Sequence, residues 1–430
     1  MRGIWRGSRR PERRTRSSHP SANYCVVDPG TSRIRLLLVE VADGRSTLWG
    51  WDEGRSLVDA GLQRLLPVCE GMLVRAEEMA LARVPRWPLT DQMLVGLPAS
   101  ELQAGAWSVT QRRAQPESPI VVEELTALLG RALRLTINQL RSAAPAPRTP
   151  EQVVRTPSAR RSPDWLLIDA TTVSLEVDGK AVTDPVGFRA EEFSATVFAA
   201  LARMETINLW RKVAVGLEFS MLTVSAAPMA LVSSLSESRG ILLDVGGFTT
   251  SLTVWQAGRP VAMSSIPVGG SVLTRALMQT WNLSSDSAER LMRAYASGQL
   301  TASDRSQVLD AMIPALRIWL AETEAALVRL RREKPLPERL FLLGGGSGLP
   351  EVMEAASALA WSEGLRFERY PLVERLRPTD VAGVLNRTDL GRGAGDVSAL
   401  GLAAWAAYQT RPQDRPARIL RDLCEGHFSG

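Results

Sequence analysis

Apolar and polar positions follow two rhythms along this chain, and each change of rhythm marks an element. Residues 24–28 form a short apolar run that ends in Pro29-Gly30-Thr31-Ser32, and residues 34–41 form a second. Runs of this length, bounded by Gly, Pro, Asp and Ser, predict strands. Asp43-Gly44 predicts a two-residue turn into a third strand, because both positions favour a left-handed backbone. Helical spacing occupies residues 57–81, a strand is expected at 92–97, another at 106–111 and a helix at 122–140. Strands at 165–169 and 173–177 lead to the turn Asp178-Gly179, followed by an expected helix at 191–204 and a strand at 212–216. From residue 240 the alternation is regular. Strands at 240–244, 251–255 and 261–266, with a turn at Ala257-Gly258, precede helices across 271–334, the longest at about 311–332. A last strand at 340–343 enters Gly344-Gly345-Gly346-Ser347-Gly348, and a helix starts at Pro350. Mixed helices and strands, with glycine turns at strand ends, predict an α/β fold that holds ligands beyond those ends.

Two stretches have neither rhythm. Residues 141–163 hold five prolines and five arginines and predict a flexible, solvated loop. Residues 1–23 are Arg, Ser, Pro and Gly with few apolar positions, the composition of a disordered basic tail. That tail changes the meaning of the chain's net charge. The 430 residues carry +5, yet residues 1–24 alone carry seven arginines and one acid, so the remainder sums to −1. A neutral body argues against nucleic-acid binding over a folded face. Only His19 and His427 are present, both near a terminus, which excludes a Ser-His-Asp hydrolase, a Cys-His protease or a histidine-ligated zinc site in the body. Cys25, Cys69 and Cys424 are scattered and odd in number, as expected in a reducing cytoplasm. No GxxxxGK[ST] phosphate loop occurs, and lysine is confined to Lys180, Lys212 and Lys334.

The candidate chemistry lies in two segments of one design. Val27-Asp28-Pro29-Gly30-Thr31-Ser32 and Leu243-Asp244-Val245-Gly246-Gly247-Phe248-Thr249-Thr250 each end an apolar strand in Asp, then Gly, then Thr or Ser, before a second apolar strand. Glycines let backbone N–H groups close on phosphate oxygens, and hydroxyls add donors. An aspartate at a strand end suits a magnesium ion held through water, so Asp28 and Asp244 are the metal candidates. Gly344, Gly345, Gly346 and Ser347, between a strand and a helix, suit a nucleoside packed on backbone. Asp-x-Gly-Thr alone also describes an ordinary turn, and the glycine run also suggests a Rossmann turn, although the third fingerprint glycine falls on Leu349. The order of all three is more specific than any one.

In that order the chain resembles the actin-like ATPases, and within them the FtsA family, with the PilM family second. Asp28 to Glu40 resembles the first phosphate loop and its following strand, and Asp244 to Thr250 the second loop. Ala227-Pro228 through Ser236-Glu237 to Gly240 is similar to the first connecting helix, and Ser398 to Ala404, around Gly401, to the second. Ile266-Pro267-Val268-Gly269-Gly270 with Leu273-Thr274 resembles the family's entry to its next subdomain, Ala288-Glu289-Arg290-Leu291 its nucleotide-side helix, and Leu343 to Pro350 its adenosine turn. Pro185-Val186-Gly187-Phe188 resembles the exit of the subdomain inserted in FtsA and PilM, which mediates partner contacts.

The resemblance implies an actin-like two-lobed fold of duplicated ribonuclease-H-like subdomains carrying an FtsA/PilM-type insertion. One lobe would comprise 24–90 and 189–236, the inserted subdomain 91–188, the second lobe 237–410 with a helical part at 271–334, and a C-terminal tail 411–430. It implies ATP and Mg2+ as cofactors. The contacts would come from Asp28, Gly30, Thr31, Ser32, Gly246, Gly247, Thr249, Thr250, Gly269, Gly270, Glu289, Arg293 and the glycine turn. Glu237 and Asp244 are the carboxylates available for water activation, although Glu237 stands equally as a solvated helix-end charge. Departures weaken hydrolysis more than binding. Pro29 replaces an aliphatic residue, Phe248 a third glycine and Ser251 a common aspartate, while Met292 with Arg293 replaces a lysine. The implied role is a cytoplasmic, membrane-associated adaptor that self-associates and links an FtsZ-like division filament to the membrane. The alternatives are a PilM-like scaffold that binds a pilus membrane-protein peptide, or a non-hydrolysing pseudo-ATPase module. Two tails offer an anionic membrane surface a contact: the arginine-rich start with Met1, Ile4 and Trp5 on one helical face, and the C-terminal face of Ile419, Leu420, Leu423 and Cys424.

Overall fold

The structure is a computed structural model that describes residues 22–87, 90–143, 164–331, 335–358 and 365–428. The basic arm, apart from its last two residues, lies outside the described residues, as do residues 144–163 of the Pro/Arg stretch and Lys334. In chain order the first elements are β1 (Ala22–Pro29), β2 (Arg33–Ala42), β3 (Arg45–Arg55), α1 (Leu62–Arg83) and β4 (Gln92–Leu97). Then come β5 (Leu102–Arg112), α2 (Val122–Ser142), β6 (Trp165–Val177), β7 (Lys180–Val182), β8 (Glu192–Arg203), α3 (Met204–Gly216), β9 (Met221–Ala226) and α4 (Ala227–Val232). The second half holds β10 (Arg239–Val245), β11 (Thr250–Gln256), β12 (Arg259–Ile266), α5 (Ser271–Trp281), α6 (Ser285–Ala296) and α7 (Ala302–Leu330). It closes with β13 (Arg339–Leu343), α8 (Pro350–Ala356), β14 (Leu372–Arg375), β15 (Val384–Asn386), α9 (Val397–Tyr408) and α10 (Arg415–Phe428).

Two sheets carry the same arrangement. One has the order β15-β3-β2-β1-β4-β9, and the other runs β14-β13-β10-β11-β12 before continuing through β5-β8-β6-β7. In each, a three-stranded antiparallel meander (β1-β2-β3, β10-β11-β12) is joined at its first strand by two parallel strands (β4 and β9, β13 and β14). The first strands lie inside their sheets, which is why Cys25-Val26-Val27 and Ile241-Leu242-Leu243 are apolar without alternation. The two-residue turns read from the sequence all form with positive φ: Asp43-Gly44, Asp178-Gly179 and Ala257-Gly258. Between the sheets, α4 crosses α9. The latter buries residues around its whole circumference, and at Gly401 a Cβ would fall 2.8 Å from the Leu231 Cα. Only glycine allows the two helices to meet there.

The inserted unit differs from its expected form. Residues 192–203 form a strand, not a helix, paired on one side with β5 and on the other with β6. A strand buried by two neighbours reads as a continuous Ala/Leu/Phe run, which in sequence resembles a buried helix. Likewise 212–216 is the last turn of α3, and 165–177 is one strand with irregularities near Leu167 and Thr172. β4 pairs with β1 and β9 in the first sheet, while β8 pairs with β5 and β6 in the second. Its α2 buries Leu125, Leu129, Leu133 and Ile137 in a core of its own. The insertion is joined to the second sheet by Ala262 opposite Gly105. It meets the first sheet at Asp169, which accepts from the Ser225 hydroxyl at 2.8 Å and from the Ala226 N–H at 2.5 Å. Burial pushes the Asp169 carboxyl up to about 7 against those two bonds.

The C-terminal segment forms α10, and the apolar face expected for a membrane is covered. Leu420 is buried and Ile419, Leu423 and Cys424 are half-buried against the insertion's core, while Arg415 pairs with Asp184 at 2.9 Å. Among the described residues no helix is long and apolar enough to cross a membrane.

Candidate functional site

The β1–β2 and β10–β11 hairpins meet tip to tip across an open cleft of about 1400 Å³. Their ladders place the aspartates identically. Asp28 pairs with Arg35 one step before the first tip, and Asp244 pairs with Ser251 one step before the second. The tips touch: the Phe248 N–H donates to the Thr31 hydroxyl at 3.2 Å, and a Cβ on Gly247 would fall 2.4 Å from the Ser32 Cβ. Phe248, which stands where a third glycine is usual, lines the cleft 45% exposed while its N–H makes this contact. The second hairpin is braced from behind, because the Gly270 and Ser271 N–H groups donate to the Gly246 and Gly247 carbonyls at 2.9 and 2.8 Å.

The third wall is the glycine turn. Gly344 adopts φ +85°, and a Cβ there would lie 2.3 Å from a carboxylate oxygen of Asp244. Both facts require glycine. Gly345 and Gly348 have open space where a side chain would point, leaving a backbone face free towards the cleft.

At the floor a guanidinium stands among carboxylates. Arg35 Nε donates to Asp396 at 2.9 Å, Nη1 to Asp28 at 3.5 Å, and Glu53 lies 3.8 Å from Nε. Burial raises the Asp28 carboxyl pKa, opposed by Arg35 and reinforced by Asp396. Burial works against the charge of Arg35, but Asp28, Asp396 and Glu53 together hold its pKa above the ordinary value. Asp244 lacks such a partner. Burial, with Asp28 adding to it and Arg35 opposing, pushes it up to about 6.

The implied magnesium ion has carboxylates to hold it, because Asp28, Asp244, Asp396 and Glu53 line the cleft around one guanidinium. Magnesium needs near-octahedral oxygen ligation and keeps several waters. Asp28 and Asp244 would hold such an ion through water, beside an Arg35 whose one positive charge stands among three carboxylates.

The other sequence candidates divide by position. Asp28, Gly30, Thr31, Ser32, Gly246, Gly247, Thr249 and Gly270 line the cleft, with Gly344, Gly345 and Gly346, and Glu289 and Arg293 reach it from α6. Thr250, Gly269 and Ser347 do not line it and act as supports. The Thr250 hydroxyl donates to the Val268 carbonyl at 2.7 Å and accepts from the Trp319 indole at 3.0 Å. Gly269 lets the chain pass under the second hairpin, and the Ser347 hydroxyl donates to the Gly344 carbonyl at 2.7 Å. Glu237 is a correction. It precedes β10, whereas Asp244 ends it, so the strand holds them about 20 Å apart. Glu237 instead faces Arg339 at 3.8 Å, outside the cleft. The sequence reading missed Arg35, Glu53, Asp396 and Arg275 in the cleft wall. Counting seven residues on from each aspartate across its hairpin would have found Arg35.

Two copies of one strand arrangement, with aspartate hairpins facing across a cleft, give this chain an actin-like fold. Its sequence is similar to a particular branch of that class. Residues 241–371 match the family described as cell division protein FtsA. Over 359 residues the chain is 25% identical to the cell division protein FtsA of Bacillus subtilis (strain 168), spanning 77% of this chain and 76% of that protein. In structure it is similar to the PilM-PilN type IV pilus biogenesis complex, with a TM-score of 0.57 and 19% identity over 88% of this chain and 96% of that one.

Proposed function

We propose that the chain binds ATP in the interlobe cleft, turns it over slowly or not at all, and serves as an FtsA-like adaptor between a division filament and the cytoplasmic membrane. The observation that carries the nucleotide reading is the meeting of two aspartate–glycine hairpins, one from each sheet, beside an open glycine backbone. Slow turnover follows from the carboxylates at the hairpin tips. Glu237 is outside the cleft, and Asp28 is engaged by Arg35, which leaves Asp244 as the candidate base at the strand ends. Isothermal titration of the full chain with ATP tests the first claim, since an intact fold with no heat at millimolar ATP overturns it. Phosphate release at about 1 per second or faster, above that of a Gly344→Val control, overturns the second.

The adaptor role rests on the likeness to FtsA, and the basic arm is its first candidate for the membrane, because α10 covers its own apolar face. Pelleting with anionic liposomes should fall on deleting residues 1–23 and stay unchanged on deleting 412–430. The structural likeness to the PilM-PilN complex supports a second reading, a scaffold that takes a membrane-protein peptide on the inserted unit. Co-pelleting with a tubulin-like filament favours the first reading, and binding of a pilus-protein peptide favours the second.

A further inference from the structure

We propose that Tyr295 and Glu351 are positioning residues: their hydrogen bond holds together the two walls of the cleft's nucleoside end, so that the site grips a nucleotide by its nucleoside as well as by its phosphates. The inference rests on the nucleotide reading above and adds a buried pair, outside the cleft, on which recognition of the nucleoside depends. One wall is α6, whose Glu289, Met292, Arg293 and Ala296 fall at helical spacing and line the cleft. The other is the glycine turn, whose Gly348 and Leu349 line the cleft and run directly into α8. Tyr295 stands on α6 between Arg293 and Ala296, and Glu351 is the second residue of α8. The Tyr295 hydroxyl donates to the Glu351 carboxylate, and the two residues are 1% and 8% exposed. Arg305 of α7 completes the cluster, 3.5 Å from the same carboxylate oxygen and with its guanidinium 5.0 Å from the centre of the Tyr295 ring. The other carboxylate oxygen of Glu351 is buried and has no hydrogen-bond partner among the described residues. A buried carboxylate with one oxygen already unpaired depends strongly on the partners it has. Burial, and then the bond to Glu351, push the Tyr295 hydroxyl up to about 12, so at neutral pH it remains a donor.

Loss of this bond frees α6 from α8 and leaves both hairpin tips, which belong to other elements, where they are. The test is titration calorimetry of the full chain with ATP and with inorganic tripolyphosphate. Tyr295→Phe keeps the ring and removes only the donor. It should lose about fivefold or more in affinity for ATP, the measure of one hydrogen bond, and less than about twofold for tripolyphosphate. Glu351→Gln keeps an acceptor for the hydroxyl and should bind ATP within about twofold of wild type, whereas Glu351→Ala should lose as much as Tyr295→Phe. Equal losses for the two ligands, or no loss for either, overturn this inference and leave the nucleotide reading intact. No heat from ATP with the folded wild-type chain overturns the nucleotide reading, and this inference with it. If Tyr295→Phe does not fold, or tripolyphosphate gives no heat with wild type, hydrogen exchange in the wild-type chain decides. ATP should slow exchange in residues 289–296 of α6 and 351–356 of α8 together, and slowing in α6 alone overturns the link.

Discussion

Asp28 faces Arg35 across the first hairpin, and Asp244 faces Ser251 across the second, at ladder positions that correspond residue for residue. Two copies of one backbone thus carry opposite electrostatic solutions. In the first, a buried aspartate is compensated within its own hairpin, and the compensating charge is tied onward to Asp396 at the start of α9. In the second, no side chain of its own hairpin compensates the aspartate, and burial with Asp28 beside it pushes its carboxyl up to about 6, against the pull of Arg35. The shared strand arrangement brings two strand ends to a cleft, while the side chain opposite each aspartate differs. One hairpin holds its aspartate against a guanidinium, and the other carries a carboxyl raised to about 6.

The comparison breaks most severely at Arg35. Replacing it by Met leaves Asp28 and Asp396 mostly buried without a counter-charge and should cost about 3 kcal/mol in denaturant unfolding. Ser251→Ala, at the equivalent place, should cost less than about 1 kcal/mol. Equal losses would mean that the two ladder positions carry equal weight.

A smaller effect comes from making the hairpins alike. The folded-state value of Asp244, about 6, lies above the ordinary 3.8, so between these values the folded chain holds a proton that the unfolded chain has released. Stability from this group therefore falls as pH rises through that window and levels off above about 6. Ser251→Arg points a guanidinium at Asp244 from a position that borders open cleft, and Asp244→Asn removes the titration outright. Each should flatten the pH dependence of unfolding free energy between about pH 4 and 6 by on the order of 1 kcal/mol. Arg35→Met should steepen it, because Arg35 opposes the rise at Asp244. An unchanged slope in all three variants would remove Asp244 as the titrating group.

What the chain disclosed of this arrangement follows from how far each signal reaches. The hairpins and the glycine turn were legible because a buried strand, a forced turn and the next strand lie within ten residues. The insertion's β8 was not, because its partners β5 and β6 are remote in sequence, and only their presence on both sides makes Phe193 to Leu201 a strand. Glu237 misled for the converse reason. It is near Asp244 in sequence, and an extended strand is the one element that turns such nearness into distance. Arg35 lies between these cases, since its role depends on hairpin register, which the turn length sets and composition does not reveal.

The smallest predicted effect concerns the contact between the two tips. Thr31 accepts from the Phe248 N–H at 3.2 Å, a bond that links the hairpins directly and lies where water can replace it. Thr31→Ala should cost about 0.5–1 kcal/mol, too little to shift global unfolding clearly. It should be visible locally, as faster hydrogen exchange at the Phe248 amide with the cores of both sheets unchanged. Thr31→Ser keeps the acceptor oxygen and should exchange as wild type does. If Thr31→Ala leaves the Phe248 amide as protected as before, the tips are held together by the Ser32–Gly247 packing and not by this bond. Ser32→Gly should then be the variant that loosens them.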